Sequence, residues 1–384
     1  MNKNSYNYPL SNPYFCNEEN MWIITRYTDV KKLIHNKKLS NNLFINKITD
    51  FNNPQISPIE KIKMLWLNTF DFPEHSNPRK VFDDLLSKKQ IDLYKADICD
   101  LALKQATSIS TLEEFDVINK YAIPLPLKII MHILEIDNND YSFIKSLLFD
   151  FTLFTSNTSL NTDLEKANNA AKSLYNYFQK LIQERSKKSN NLIGELLKNT
   201  IIKHNLTEDQ IIANLIMLLW GGQITTTHLT GLGIFTLLTN TTQLNILKKN
   251  SQYYPLMIEE LLRFISPTQM IMRKASEDIS ISNITISKDD YVRLVLYTAN
   301  RDPDTFLEPD KFIISREPNQ HLAFGSGTHF CIGANLARFT LPTIIQTFIN
   351  KLPNIYLPKQ KINYHKSSVL PGIQNLILTN SSYE

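Results

Sequence analysis

The segment that most constrains this chain is residues 321–338, His-Leu-Ala-Phe-Gly-Ser-Gly-Thr-His-Phe-Cys-Ile-Gly-Ala-Asn-Leu-Ala-Arg. It places Cys331 between a glycine-rich turn and an apolar helical pattern that starts near Gly333. Gly325 and Gly327 permit backbone angles that a Cβ would forbid, and a helix N-terminus beside the sulfur favours thiolate over thiol. The segment therefore predicts a metal-ligating cysteine, and the alternative is a buried structural cysteine.

The motif inside this segment is Phe324-Gly325-x-Gly327-x-His329-x-Cys331-x-Gly333, followed by Leu336-Ala337-Arg338. It resembles the haem-binding loop of cytochrome P-450. The resemblance implies that Cys331 is the axial ligand of a haem b, and thiolate ligation of this kind favours O–O cleavage. It also implies that Phe324, Gly325, His329 and Gly333 contribute to cofactor binding. From their apolar rings alone, Phe324 and Phe330 are expected to shield the site from water.

Basic residues elsewhere match positions with which the family binds the haem propionates. His75 and Arg79 are spaced i, i+4, so on a helix they share one face. Pro78 between them fits only if it lies in the first turn of that helix. A solvated basic helix face is the alternative for this pair. Arg273 follows a predicted strand at 268–272, and the resemblance assigns it to the other propionate.

A capping box formed by Thr207 and Gln210 opens an apolar pattern at helical spacing that runs to about Thr239. The pattern predicts one long central helix. Gly221-Gly222 in its middle costs about 1 kcal/mol per glycine, and small residues let a flat group lie close to the backbone.

Residues 221–226 of this helix, Gly-Gly-Gln-Ile-Thr-Thr, resemble the central-helix signature of the family. The resemblance implies that Gly222 lies over the haem and that Thr225 and Thr226 act at the oxygen-binding position. The family usually has an acidic residue at the position of Ile224, and that acid relays protons. Ile cannot take over this role, because its side chain neither donates nor accepts a proton. Either waters and Thr225 relay protons, or the substrate supplies the polar group, or the reaction is not a simple hydroxylation.

Other segments agree with the resemblance. Glu260-x-x-Arg263 with Arg316 matches a buried family ion-pair motif, although its spacing alone would also suit a weak surface pair. We expect residues 147–158 to form a lid over the pocket and Leu370-Pro-Gly-Ile373 to be a hairpin tip that reaches into it. The helix after Arg338 contains Pro342, which predicts a kink without a functional account.

The N-terminal part gives weaker signals. Residues 22–27 are rich in β-formers and predict a strand, and Asp29 is expected to cap a short helix at 30–35. Residues 40–70 are predicted to be irregular and, in the family, cover the substrate. Their candidate pocket residues, each of which could equally be core, are Phe44, Phe51, Met64, Leu65 and Trp66.

The resemblance extends from Trp22 to about Leu378 and implies the cytochrome P-450 fold. That fold is mainly α with a small β subdomain near the N-terminus. It forms a triangular helical bundle with haem between the long central helix and the helix after the cysteine loop. We expect a single domain over 1–384, because no stretch has the composition of a linker and Gly numbers only 9.

Bulk composition excludes several classes of protein. A net charge of +4 is too mild to argue for nucleic acid. The cysteines, Cys16, Cys99 and Cys331, form no disulfide framework. The first 20 residues lack an apolar run, and the longest apolar pattern, 211–220, is too short for a bilayer. We therefore expect a cytoplasmic protein without membrane or nucleic-acid partners. We also expect it to be a monomer.

The resemblance implies a monooxygenase that activates O2 at a cysteine-ligated haem and oxidises a small organic substrate of secondary metabolism, free or tethered to a carrier protein. Electrons are expected from a ferredoxin or flavodoxin with its reductase, docking on a basic face to which Arg79, Lys80 and Arg338 contribute. The alternatives are another haem-thiolate oxidation (dehydrogenation, coupling, nitration or a peroxide-driven reaction) and a non-catalytic haem protein that binds a ligand.

Overall fold

The computed structural model describes residues 8–43, 56–155, 161–185, 206–365, 367 and 369–380. Helices dominate these residues, which confirms the predicted mainly-α class. The α-helices are α1 (Tyr27–Ile34), α2 (Pro58–Met64), α3 (Ser76–Leu85), α4 (Lys88–Ser110), α5 (Pro124–Ile133), α6 (Tyr141–Thr152), α7 (Asn161–Arg185), α8 (Glu208–Thr239), α9 (Thr241–Lys249), α10 (Tyr254–Ile265), α11 (Leu296–Ala299) and α12 (Ala334–Lys351).

The strands are short. They are β1 (Tyr14–Cys16), β2 (Met21–Ile24), β3 (Leu39–Ser40), β4 (Glu114–Asp116), β5 (Met270–Ala275), β6 (Ile279–Ile281), β7 (Ile284–Ile286), β8 (Tyr291–Val295), β9 (Ile355–Tyr356), β10 (Asn363–Tyr364), β11 (Ile373–Asn375) and β12 (Ile377–Asn380). Strand β8 pairs in parallel with β2 and antiparallel with β5, and β1 pairs antiparallel with β2. The β subdomain predicted near the N-terminus therefore also includes strands from residues 270–295.

The chain forms two compact units. Unit 1 comprises the described residues of 8–39, 93–126 and 224–380, and unit 2 comprises those of 40–92 and 127–223. The cysteine loop, Thr225 and Arg273 belong to unit 1, whereas His75, Arg79 and Gly222 belong to unit 2. The single domain over 1–384 stays a prediction.

In unit 1, helix α1 packs against the β8-containing sheet. Val30 and Leu33 are buried in one apolar cluster with Leu294 of β8. Phe306 and Leu322 belong to the same cluster. The chain that leads into the cysteine loop is therefore anchored in the core of unit 1.

The start of α1 differs from the prediction. The strand ends at Ile24, and Tyr27 already begins the helix, with Arg26 and not Asp29 as its N-cap residue. The Tyr27 N–H donates to Oδ2 of Asp302 at 2.9 Å, so a side chain distant in sequence satisfies this helix end. The β-forming composition of 22–27 could not indicate that contact.

In unit 2, residues 57–64 were predicted to be irregular but form α2 after a cap. The Ser57 side chain accepts from the Glu60 N–H, and the Glu60 carboxylate accepts from the Ser57 N–H. This reciprocal capping box, together with Pro58 at the first helical position, is a helix-start signal that was missed.

The pocket candidate Trp66 lies in an aromatic cluster of unit 2. Its ring is stacked on Trp220 with centroids 5.7 Å apart and contacts Phe151 and Phe154. Trp66 is only 5 % exposed, so the interpretation of this residue as core is supported within unit 2. Met64 and Leu65 precede it and are half-buried, whereas the candidates Phe44 and Phe51 lie outside the described residues.

Two other local predictions are confirmed. Thr207 and Gln210 form the reciprocal capping box, with N–H to side-chain oxygen distances of 3.0 and 3.2 Å, and α8 runs to Thr239. Pro78 lies in the first turn of α3. Pro342 lies inside α12, which continues through it to Lys351.

Candidate active site

The cysteine loop is a closed backbone turn. Gly325 and Gly327 have φ of +68° and +73°, in the left-handed region that side chains disfavour. The Cys331 N–H donates to the carbonyl of Phe324 at 2.8 Å, and the Phe330 N–H donates to that of Gly327 at 3.0 Å. The two glycines therefore let the chain reverse, and the reversal fixes the backbone of Cys331 against Phe324.

The side chain of Cys331 is exposed and lies beside the start of a helix. Helix α12 begins near Gly333, as predicted, with Gly333 as its N-cap residue, and the Ala334 N–H donates to the Cys331 carbonyl at 3.2 Å. A Cβ built on Gly333 would have no described atom within 4 Å. The positive end of α12 and the open space around Gly333 are both suited to a large group bound at the sulfur.

Aromatic rings flank the loop less completely than predicted. Phe324 and Phe330 form an edge-to-face pair with centroids 6.0 Å apart. Phe330 is 36 % exposed and Phe324 half-buried. His329 ends a single 3-10 turn, Gly327–His329, and is half-buried. The rings alone therefore leave part of the loop accessible to water.

His35 supports the loop, and sequence reasoning missed it. A Cβ on Gly327 would lie 3.0 Å from His35 Nδ1, and the Ser326 hydroxyl is 2.8 Å from His35 Nε2. Gly327 thus has a packing reason to lack a side chain, in addition to its positive φ. No sequence pattern links these positions, because His35 follows α1 at the far end of the chain.

The central helix α8 carries the predicted catalytic residues. Thr225 and Thr226, in unit 1, are half-buried, and Ile224 is buried at 9 % exposure. In unit 2, a Cβ on Gly222 would lie 3.1 Å from Cδ1 of Ile130, so the packing of α8 against α5 explains why this position has no side chain. A Cβ on Gly221 would have no described neighbour within 4 Å outside its own helix.

The predicted propionate pair lies in unit 2 on α3. His75 precedes the first residue of the helix, and the Arg79 N–H donates to the His75 carbonyl at 3.1 Å, so the i, i+4 spacing is realised. Arg79 Nε pairs with Oδ1 of Asp83 at 2.8 Å. Burial, followed by the charge of Arg79, lowers the pKa of His75 and so favours the neutral imidazole.

Arg273 lies in unit 1 within β5, which begins two residues later than predicted and extends past this arginine. It is half-buried, and Nη1 donates to the carbonyl of Met272 at 2.7 Å. Its guanidinium presents five N–H donors in a planar array, a geometry that matches a carboxylate.

The Glu260 motif is buried, as the resemblance implied. Glu260 and Arg263 have fully buried side chains, with Arg263 Nε 2.8 Å from the carboxylate, and Arg316 Nε lies 3.0 Å from the same carboxylate. The pair is therefore not the weak surface pair that its spacing would allow.

His228 of α8 is buried and has a specific neighbour. Its ring stacks on His365 with centroids 5.4 Å apart, and a Cβ on Gly372 would lie 2.5 Å from its Cδ2. Nδ1 of His228 is buried and has no hydrogen-bond partner among the described residues. Burial, followed by the charge of His365, lowers the pKa of His228 to about 3. The predicted hairpin is present as β10 and β11, and its turn contacts the central helix through this imidazole.

None of the helices in the described ranges combines the length and apolarity that crossing a bilayer requires.

The chain is similar to known proteins in both sequence and structure. The sequence model of the family Cytochrome P450 matches residues 97–377. The biotin biosynthesis cytochrome P450 of Bacillus subtilis is 31% identical over 325 residues, which cover 84% of this chain and 81% of that protein. The polyketide biosynthesis cytochrome P450 PksS of the same species is 27% identical over 373 residues, covering 92% and 88%.

The solved structure of P450BioI in complex with hexadec-9Z-enoic acid ligated acyl carrier protein is 26% identical to this chain, with a TM-score of 0.87. The likeness covers 94% of this chain and 92% of that one, and it confirms the predicted fold. The family match spans well over half of the chain and includes Cys331. This protein therefore belongs to the cytochrome P450 family.

Proposed function

We propose that this protein holds haem b through the thiolate of Cys331 and uses it to oxidise a small biosynthetic intermediate with O2. Members of its family are haem-dependent monooxygenases, so the chain is an oxidoreductase of that class. The observation that carries the proposal is the exposed Cys331 on a closed loop, at the positive end of α12.

The described residues fit the cofactor. Gly325 and Gly327 adopt positive φ in the turn that precedes Cys331, and a Cβ on Gly333, two residues after it, would meet no described atom within 4 Å. No group of three or more His, Cys, Asp or Glu side chains in the described ranges could hold a bare metal ion, and a porphyrin supplies its own nitrogen ligands. A single thiolate is therefore sufficient on the protein side.

We assign the remaining cofactor contacts as follows. His75, Arg79 and Arg273 would hold the propionates of the cofactor by hydrogen bonds, and Phe324 and His329 would contribute to its binding. Arg79 and Arg273 suit this role because a guanidinium binds carboxylates through paired N–H donors. Gly222, or its neighbour Gly221, whose Cβ would meet no described atom within 4 Å, would let a flat group approach α8.

Bound haem supplies oxygen activation, and its thiolate ligand favours O–O cleavage. The chain itself must exclude water, orient the substrate and move protons. Thr225 and Thr226 carry hydroxyls that both donate and accept hydrogen bonds, and both are half-buried. We propose that waters held by Thr225 relay protons, because the buried Ile224 side chain cannot.

Ile224 is also the observation that favours the second candidate, a haem-thiolate oxidation other than simple hydroxylation. Among these alternatives a peroxide-driven reaction has the least need of an acid at position 224, because hydrogen peroxide already carries the two protons that O2 and two electrons would otherwise have to take up. A haem protein that binds its ligand without turnover is separated from both by product formation in a reconstituted reaction.

The relatives suggest the substrate class. One acts in biotin biosynthesis, one in polyketide biosynthesis, and a solved relative was captured with an acyl chain on acyl carrier protein. We propose an acyl-type intermediate of secondary metabolism, presented free or on a carrier protein. A ferredoxin or flavodoxin with its reductase delivers electrons to the protein, which we expect to be a cytoplasmic monomer.

The basic docking face has less unbalanced charge than the sequence suggested. Arg79 is paired with Asp83, and Arg338 with Glu259 at 2.9 Å. Lys80 is exposed. We therefore expect Lys80 to contribute more to long-range attraction of an acidic partner than either arginine.

The decisive experiment compares wild type, Cys331→Ser and Cys99→Ser. Cys99 is an exposed cysteine on α4 and controls for loss of a thiol as such. After reduction and addition of carbon monoxide, wild type and Cys99→Ser should give the red-shifted band of thiolate-bound haem, and Cys331→Ser should not. The assignment is wrong if Cys331→Ser keeps the band or if wild type binds no haem.

A spectral screen with fatty acids, free and attached to acyl carrier protein, then tests the substrate class. We expect a shift of the ferric Soret band with acyl ligands, followed by NADPH-dependent product formation with surrogate ferredoxin and reductase. Binding without product would favour the non-catalytic alternative, and a shift with unrelated compounds only would overturn the acyl assignment.

A further inference from the structure

Helix α10 carries two adjacent glutamates with separate sets of partners. Glu260 is buried and pairs with Arg263 and Arg316, as described above. Glu259 has a side chain 27 % exposed and pairs with His321 and Arg338. These two partners lie on opposite sides of Cys331 in sequence, one before the cysteine loop and one in α12. Glu259 therefore bridges the two arms of the loop.

The contact to His321 is fixed at both ring nitrogens. Nδ1 of His321 accepts a hydrogen bond from the Ala323 N–H at 3.2 Å. The ring proton is therefore on Nε2, which donates a hydrogen bond to Oε2 of Glu259 at 3.1 Å. The side chain of His321 is only 3 % exposed. The first arm of the loop is therefore held by an oriented, buried imidazole.

The contact to Arg338 uses both carboxylate oxygens. Nε donates to Oε1 and Nη2 to Oε2 of Glu259, each at 2.9 Å, a bidentate geometry that fixes orientation. Burial alone would raise the pKa of Glu259, but the hydrogen bonds from His321 and Arg338 outweigh it and lower that pKa. Glu259 therefore remains an anion that holds both arms at neutral pH.

The clamp formed by Glu259, His321 and Arg338 is connected to Cys331 through Phe324. The Arg338 guanidinium lies 4.9 Å from the centre of the Phe324 ring, and the His321 ring lies 5.9 Å from it. The carbonyl of the same Phe324 accepts the Cys331 N–H at 2.8 Å. A ring held by two partners of Glu259 is thus connected by one hydrogen bond to the backbone of the predicted ligand.

We propose that Glu259 is a positioning residue for Cys331: by joining His321 to Arg338 it fixes Phe324 and, through it, the backbone from which the cysteine sulfur projects. The spectroscopic part of this inference rests on haem ligation by Cys331. The structural part, the rigidity of the loop, does not.

The test variant is Glu259→Gln, which keeps the shape of the side chain and removes its charge. The matched control is Glu277→Gln, because Glu277 is an exposed glutamate of unit 1 paired with Lys38 at 2.8 Å. Amide hydrogen exchange of a peptide covering residues 321–333 measures the clamp. We expect exchange in that peptide to be at least about tenfold faster in Glu259→Gln, corresponding to about 1.4 kcal/mol of lost protection, and unchanged in Glu277→Gln.

The second readout is the carbon monoxide spectrum of the reduced haem protein. We expect the fraction with thiolate ligation to fall at least twofold in Glu259→Gln and to stay constant in Glu277→Gln. If wild type shows no thiolate band, haem ligation is wrong, while the exchange experiment still decides whether the clamp exists.

Several outcomes would overturn the inference. One is unchanged loop exchange in folded Glu259→Gln. Another is an equal rise in exchange across peptides of α4, which would indicate general destabilisation. If Glu259→Gln does not accumulate as folded protein, Arg338→Gln decides by the same readouts, because that side chain is 42 % exposed and easier to replace.

Discussion

The strongest stability prediction concerns Glu260, and the perturbation is Glu260→Gln. The Glu260 carboxylate accepts bonds from Arg263, from Arg316 and from the Ile313 N–H, at distances of 2.8–3.1 Å. Removing one partner of a buried ion pair costs about 3–5 kcal/mol, because the remaining charge is buried without compensation. Here two guanidinium groups would lose their counter-ion.

The expected loss lies in the lower half of that range. Both arginines keep hydrogen bonds to backbone carbonyls, Arg263 to Asn300, Pro309 and Lys311, and Arg316 to Leu307, Glu308 and Lys311. We therefore expect Glu260→Gln to lower the free energy of unfolding by about 3 kcal/mol, a large share of the roughly 5–15 kcal/mol that folded proteins have.

Urea unfolding followed by tryptophan fluorescence measures this change. The control is Asp100→Asn, which removes an i, i+4 pair with Lys104 whose side chains are 53 % and 74 % exposed. Such a pair contributes about 0.5 kcal/mol or less. A loss below about 1 kcal/mol for Glu260→Gln, or a loss equal to that of the control, would show that this buried network does not stabilise the fold as reasoned.

Three further predictions concern the central helix. Since the pKa of His228 is about 3 in the folded state and about 6.5 when unfolded, the unfolded state binds the extra proton, and stability should fall as pH drops below 6.5. Relative to its value well above pH 6.5, the free energy of unfolding of wild type should fall by about 1.4 kcal/mol at pH 5.5, and that of His228→Asn should not show this fall. Urea unfolding of both proteins at the two pH values measures it, and an equal change in the two proteins would contradict the reasoning. Gly372→Ala should cost about 1–3 kcal/mol by overpacking against the buried imidazole, and His228→Ala in the same chain should recover part of that loss; strictly additive costs in the double-mutant cycle would exclude the contact. Ile224→Asp should change the ratio of hydrogen peroxide released to product formed, and an unchanged ratio would show that this position does not take part in proton delivery.

Several features were determined by residues close together in sequence. Three local features were predicted and are present in the structure: the glycine turn before Cys331, the capping box at Thr207 and Gln210, and Pro78 in a first helical turn. Such signals succeed because a cap, a turn or a helix start depends on atoms within a few residues. The capping box of Ser57 and Glu60 is a local signal of the same kind, so the start of α2 could have been predicted as well. The prediction of an irregular segment over 40–70 overlooked it.

The tertiary structure decided what lies against those local elements. Tyr27 begins α1 because Asp302 accepts its N–H, Gly327 lacks a side chain beside His35, and Glu259 joins His321 to Arg338. Tyr27 and Asp302 are 275 positions apart, His321 and Glu259 are 62 apart, and His35 is 291 positions from Ser326, the neighbour of Gly327. Periodicity and capping signals in a sequence do not indicate contacts at such separations. The partners meet only when packing of the core brings their elements together. The family and the glycine turn around Cys331 could therefore be predicted from the sequence, whereas the contacts that hold the loop around it required the fold.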